Sequence, residues 1–228
     1  WSQVGNDIDG EAADDRSGWS VSMDSDGSHV AIGAPYNNGG GSDSGHVRIY
    51  SWNGSAWTQV GNDIDGEASS DNSGYSVSMD SDGSHVAIGA HYNDGNGTDS
   101  GHVRICSWDG SAWTQVGNDI DGEATWDQSG YSVSMDSDGS HVAIGAYNND
   151  GGGSNSGHVR VYFWNGSAWS QVGNDIDGEA TNDNSGYSVS IDSDGSHVAI
   201  GAYANDGNGI ASGHVRVYEY SSGSWSQV

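Results

Sequence analysis

Tryptophan recurs at Trp1, Trp57, Trp113, Trp169 and Trp225, each time followed by Ser or Thr and then Gln-Val, so the chain repeats every 56 residues with no insertion or deletion. A repeat of this length is one supersecondary unit that buries its apolar surface only against its neighbours, which confines the fold to solenoids, propellers and related arrays. The 228 residues hold four units, 5–60, 61–116, 117–172 and 173–228, with 1–4 left over as an extra copy of the outer strand.

Each unit contains a kernel seen first at Ser17–Ala34 and again from Ser73, Ser129 and Ser185. In the first copy Val21/Met23 and Val30/Ile32 alternate with small or polar residues on either side of Asp26-Gly27, a strong signal for a tight β-hairpin. Two further apolar runs, Gly45–Trp52 and Ala56–Val60, flank an Asn53-Gly54 turn, which makes four strands per unit. No segment shows helical spacing, and no apolar run approaches the roughly 18 residues that span a bilayer. The expected fold is all-β, a β-propeller of four four-stranded antiparallel blades. Val47 and Ile49 are expected to face one neighbouring blade, and Tyr50 and Trp52 the other. A solenoid has shorter coils, and a sandwich needs no fixed period.

Trp1–Val4 and Trp225–Val228 are two copies of one outer strand, one more than four blades use. Four blades closing alone, two chains forming one larger circle, or a piece of a longer array all satisfy this count. An unpaired terminal strand is a template for another chain, so self-association is expected.

These motifs resemble the FG-GAP repeat, the blade of integrin alpha-chain propellers and of many secreted microbial proteins. Ser-Gly-Trp/Tyr-Ser-Val stands where that family has Phe-Gly, and Val-Ala-Ile-Gly-Ala stands where it has Gly-Ala-Pro, with the proline kept only at Pro35. The family's calcium loop is shortened here to Asp24-Ser25-Asp26-Gly27, whose aspartates read as turn residues. The resemblance implies an extracellular or cell-surface propeller with a structural or adhesive role.

Thirty-two acidic residues against five arginines and no lysine give a formal charge of −27, which excludes nucleic acid and anionic lipid surfaces as partners. Aspartate dominates the acids, and it serves turns and calcium loops. Asp7, Asp9, Glu11 and Asp15 stand at alternate positions around a glycine turn, and recur as Asp63/Asp65/Glu67/Asp71, Asp119/Asp121/Glu123/Asp127 and Asp175/Asp177/Glu179/Asp183. That spacing fits Ca2+ with oxygen ligands, and it equally fits carboxylates that cap turns. His29, His46 and their copies read as structural histidines, and Arg48, Arg104, Arg160 and Arg216 as buried charges paired with aspartate or backbone carbonyls. Cys106 replaces the tyrosine of the other units (Tyr50, Tyr162, Tyr218) and is expected in the core, with no disulfide. No charged and apolar leader precedes Trp1, so any signal peptide is absent or already removed.

The units differ at 13–16 and 35–43 and at the matching positions of the other three, two connections that emerge on one face of a meander. Tyr36, Tyr92 and Trp126 fall in these segments as candidate ligand-binding residues, and Asn53, Asn96 and Asn165 head sequons for N-glycosylation. Catalysis needs unlike groups brought together, whereas four near-identical units offer the same groups four times, so no enzyme activity is expected. The sequence therefore predicts a structural or adhesive module that binds protein or glycan partners through the varied face; the alternative is a multivalent lectin-like propeller.

Overall fold

The computed structural model describes residues 1–228 and is all-β. In the first blade β1 (Ser20–Met23), β2 (His29–Ala34), β3 (His46–Trp52) and β4 (Trp57–Gln59) form an antiparallel meander. The Asp-Gly turn sets its register, with Met23 opposite Val30 and Ser20 opposite Gly33. Gly27 takes a positive φ of 77° there, a backbone shape that costs glycine nothing.

The blades are broader than the sequence suggests. After β4 the chain turns at Gly61 and returns as β5 (Ile64–Asp65), which pairs with the upper half of β3: Val47 lies opposite Ile64 and His46 opposite Asp65. The three-residue β4 covers only the lower half of β3, so the upper backbone groups need a second partner. Ile120–Asp121 and Ile176–Asp177 repeat the arrangement, which gives three five-stranded sheets. The fourth sheet, Ser185–Ile191, His197–Ala202, His214–Ser221 and Ser224–Gln227, has only four strands. Trp1–Val4 forms no strand.

Neighbouring blades pack face to face through three apolar cores. At the first junction Ala31, Val47 and Ile49 meet Val77 and Met79 of the next blade. Tyr162 packs against the junction on its other side, as expected for that strand face. Cys106 is buried in the first of these cores, where burial raises its thiol to about 11 and keeps it a neutral apolar group.

Four blades with three junctions form an open arc. The outer faces of the first and last blades are bare: Val21 is 64% exposed against 9% for its copy Val77, and Val215 is 67% exposed against 0% for Val47.

Candidate functional site

The start of each inner strand carries an aromatic residue on the varied-loop face. Trp19, Tyr75, Tyr131 and Tyr187 follow one another along the arc, with ring centroids 5.4, 4.9 and 4.9 Å apart. The loop after the second strand of each blade adds rings beside them. Tyr36 meets Trp19 edge-on at 6.2 Å, His91 lies 4.0 Å from Tyr75, Tyr147 lies 4.3 Å from Tyr131, and Tyr203 lies 4.5 Å from Tyr187. Tyr92 stacks on His91 at 3.9 Å. The result is a continuous aromatic band at the inner edge of the varied face, with the Arg16 guanidinium over Tyr36 at one end.

Burial sets the chemistry of the band. His91 is enclosed by Tyr75, Tyr92 and Tyr131, and desolvation lowers it to about 3, so it is a neutral ring at physiological pH. Burial also raises Tyr131, and the neighbouring Tyr187 and Tyr75 hydroxyls raise it further. The band offers uncharged π-faces and phenolic donors to a ligand.

Tyr36 and Tyr92 belong to this band; Trp126 does not. Trp126 is exposed at a left-handed backbone position, φ 71°, and pairs with no other ring. The inner-strand rings Tyr75, Tyr131 and Tyr187 escaped attention in the sequence because they hardly vary. The signal available there was that their positions open the strand next to the varied loop.

The acidic loops are divided among separate tasks. Asp7, Asp63, Asp119 and Asp175 each accept a hydrogen bond from the preceding glutamine, at 2.7, 2.6, 2.6 and 2.6 Å. Asp9, Asp65, Asp121 and Asp177 offer their main-chain carbonyls to Arg48, Arg104, Arg160 and Arg216 at 2.6–2.7 Å. Asp15, Asp71, Asp127 and Asp183 are buried, where each accepts from the backbone N–H three residues earlier and from an asparagine amide, Asn37 in the first unit. Asp24 and Asp26 hold the hairpin turn through Ser28 N–H, and Asp24 also binds His29 Nδ1 at 2.8 Å.

The remaining loop carboxylate, Glu11, joins a group that crosses the junction between units. His46 Nδ1 is buried without a hydrogen-bond partner, 3.8 Å from Glu11 Oε2 and 3.7 Å from Asp63 Oδ2. Glu67/His102/Asp119 and Glu123/His158/Asp175 form the same group. In each, the ligand atoms lie within 4.8 Å of one another, so these sets can hold a divalent metal ion. Burial keeps His46 below the ordinary histidine range, which leaves the imidazole neutral and able to ligate. In the last unit Glu179 and His214 stand 3.7 Å apart with no third ligand.

The sequons lie in exposed turns. Asn53 Oδ1 accepts from the Ser55 and Ala56 backbone N–H groups, while Asn96 Nδ2 and Asn165 Nδ2 donate to Gly122 O and Ser170 Oγ.

The FG-GAP repeat family matches the chain four times, over residues 8–50, 63–105, 119–162 and 176–218, most of its length. The chain belongs to the FG-GAP repeat family. No curated protein matches it. Among solved structures it is similar to a protein from Bacteroides uniformis assigned as a 6-phosphogluconolactonase (11% identity, TM-score 0.61, 92% of this chain and 52% of that one). It is also similar to the periplasmic gluconolactonase of Pseudomonas aeruginosa (14%, 0.59, 92% and 55%) and to the hydrazine synthase of Kuenenia stuttgartiensis (13%, 0.54, 87% and 51%). The FG-GAP chain thus spans about half the length of these structures. Two of them are named as lactonases, which corrects the expectation that a chain of this architecture is not an enzyme. Repetition of the blade does not prevent a fold of this kind from carrying catalysis, because function resides in sites set on the fold. At these identities the likeness is one of fold.

Proposed function

We propose that this FG-GAP chain is an adhesive module that binds carbohydrate along the aromatic band of its varied face, outside the cytoplasm. The band itself carries the reading: a row of stacked, uncharged rings with Trp19, Tyr92, Tyr187 and Tyr203 exposed suits the apolar faces of sugar rings, and the phenolic hydroxyls suit their rims. The formal charge of −27 disfavours anionic glycans and selects neutral ones. On a glycan array, Tyr131→Ala, which removes the central ring, is expected to weaken binding about tenfold or more, equivalent to about 1.4 kcal/mol. Trp126→Ala, away from the band, is expected to leave it unchanged. Binding to no glycan, or loss only on Trp126→Ala, refutes the assignment.

A second reading concerns the metal. The buried, unpartnered His46 Nδ1 facing two carboxylates supports a structural cation between units. Calcium takes oxygen ligands, whereas an imidazole with two carboxylates suits zinc and its neighbours, so zinc is preferred over the calcium suggested by the loop spacing. Zinc is expected to raise the melting temperature more than calcium at equal concentration, and by several degrees at saturation. The triple variant His46→Gln/His102→Gln/His158→Gln should lose that difference. Equal effects of the two ions, or an unchanged zinc response in the variant, count against the site.

A further inference from the structure

Three rings of the aromatic band are tyrosines at one position of successive blades, Tyr75, Tyr131 and Tyr187. We infer that they form a site of oxidative cross-linking, in which a dityrosine bond between Tyr131 and either neighbour ties one blade covalently to the next. This holds whatever the band binds.

The backbone on both sides of each ring is fixed by the packing of the blades. Tyr75 and Tyr131 immediately precede the inner strands Ser76–Met79 and Ser132–Met135, and Tyr187 lies near the start of Ser185–Ile191. Ser76 Oγ donates to Gly130 O, and Ser132 Oγ donates to Gly186 O, both at 2.7 Å. The residue after one tyrosine is thus bonded to the residue before the next, which holds the two rings side by side.

The rings meet in a geometry suited to coupling. Centroids lie 4.9 Å apart for Tyr75–Tyr131 and 4.9 Å for Tyr131–Tyr187, with the planes inclined at 43° and 45°. Two phenols joined carbon to carbon have centroids only slightly closer, so coupling needs a shift shorter than one bond. The Tyr75 and Tyr187 hydroxyls lie close enough to that of Tyr131 to raise it. Unpaired spin in a phenoxyl radical resides partly on the carbons next to the C–O carbon, and contact at the hydroxyl ends places those carbons together. Tyr147 also touches Tyr131, at 4.3 Å between centroids, but its hydroxyl is engaged by Asn148. Trp19 holds the matching position of the first unit and has no phenol, so the run ends at Tyr75.

The surroundings favour coupling within the chain. Tyr187 and Tyr203 are 40% and 53% exposed and 4.5 Å apart, so an oxidant in solvent can remove an electron at the rim, and touching rings carry the vacancy to Tyr131. The single thiol, Cys106, is buried and protonated, and offers no thiolate to quench the radical. A charge of −27 keeps copies apart and opposes bonds between chains. The chain has no disulfide, and a dityrosine would supply the covalent bracing that disulfides give other proteins.

The co-reactant is hydrogen peroxide, used by a haem peroxidase. Each of two tyrosines gives up one electron and its hydroxyl proton, and the peroxide O–O bond is reduced to two waters. The two radicals join through one new C–C bond between ortho carbons. Each of those carbons then releases its hydrogen as a proton, which restores the phenol on the ring oxygen. The protein loses two hydrogen atoms per bond.

Treating the dilute protein with a haem peroxidase and hydrogen peroxide is the test. The expected product has dityrosine fluorescence, the size of a single chain on a denaturing gel, and peptic peptides joining Tyr75 to Tyr131 or Tyr131 to Tyr187. Each bond closes a loop of one repeat, so the melting temperature is expected to rise by about 5 °C or more. Tyr131→Phe keeps the ring and removes the phenol, and should lose most of the fluorescence. Tyr147→Phe should retain it. Peptide mapping needs no variant, so it decides the linkage whether or not Tyr131→Phe folds. Absence of dityrosine, bonds only between chains, or fluorescence unchanged in Tyr131→Phe overturns the proposal.

Discussion

Replacing Gly89 by alanine is expected to cost about 3 kcal/mol of stability, whereas the same change at its copy Gly201 should cost under about 1 kcal/mol in the monomer. Gly89 has ordinary strand backbone, so conformational freedom is not its role. Its missing side chain lets the next blade approach: a Cβ there would overlap the Gly130 carbonyl oxygen and crowd Ser76 Oγ. The first of these is backbone, so relief requires the two blades to part and the core of Val103, Ile105 and Met135 to loosen. Gly201 faces only the movable hydroxyl of Ser188. For a chain of this size, about 3 kcal/mol corresponds to a fall in melting temperature of roughly 6 to 12 °C. Thermal unfolding of the two variants at a concentration where the chain is monomeric measures the contrast. Equal effects at the two positions would show that blade contact is not the reason for glycine.

The second large effect is a loss of stability in acid that traces to His91. Burial among Tyr75, Tyr92 and Tyr131 lowers the folded-state value to about 3, while the unfolded chain titrates near the ordinary 6.5. Below pH 6.5 the unfolded state therefore binds a proton that the native state refuses. Stability falls by about 1.4 kcal/mol per pH unit from that point until the folded group itself titrates. Between about pH 7.5 and 4.5 this one histidine accounts for roughly 2 to 3 kcal/mol. Tyrosine occupies the matching position in the third and fourth units, as Tyr147 and Tyr203, so His91→Tyr keeps the aromatic band and removes the titration. Urea unfolding of each protein at both pH values gives the slope within each variant, which cancels any fixed repacking cost. The wild type should lose about 2 to 3 kcal/mol more than the variant on acidification. Parallel losses would mean that His91 is protonated in the native state.

Much of the blade was legible in the residues. The Asp-Gly turn, the alternation of Val21/Met23 with serine and the Trp period set the hairpin, the strand order and the core residues, because turn chemistry and side-chain alternation are local properties. Asp24 and Asp26 were readable as turn residues for the same reason: their partners lie within five residues. The arginines, too, meet backbone carbonyls as a buried charge in a strand requires, although the carbonyl acceptors lie 39 residues away.

The candidate site was legible only in part. Tyr36 and Tyr92 stood out because they vary, whereas Tyr75, Tyr131 and Tyr187 looked like frame and supply the middle of the band. Trp126 stood out equally and lies apart, since an exposed residue in a varied loop carries no sign of which way the loop points. The acidic loop, so regular in sequence, is split by the fold. Its carboxylates leave in different directions along a chain that is half strand and half turn, and only Glu11 reaches His46, where it is joined by Asp63 of the following unit.

The sequence by itself determined the unit: a 56-residue blade whose turns and alternating strands are coded by neighbours in the chain, repeated four times. The angle between one blade and the next was decided by the tertiary structure, through glycine-to-glycine approach and side-chain packing across each junction. No local signal encodes that angle, because it is a property of two surfaces in contact. It leaves these four blades as an open arc, with Val21 and Met23 exposed on the first blade and Val215 and Val217 exposed on the last.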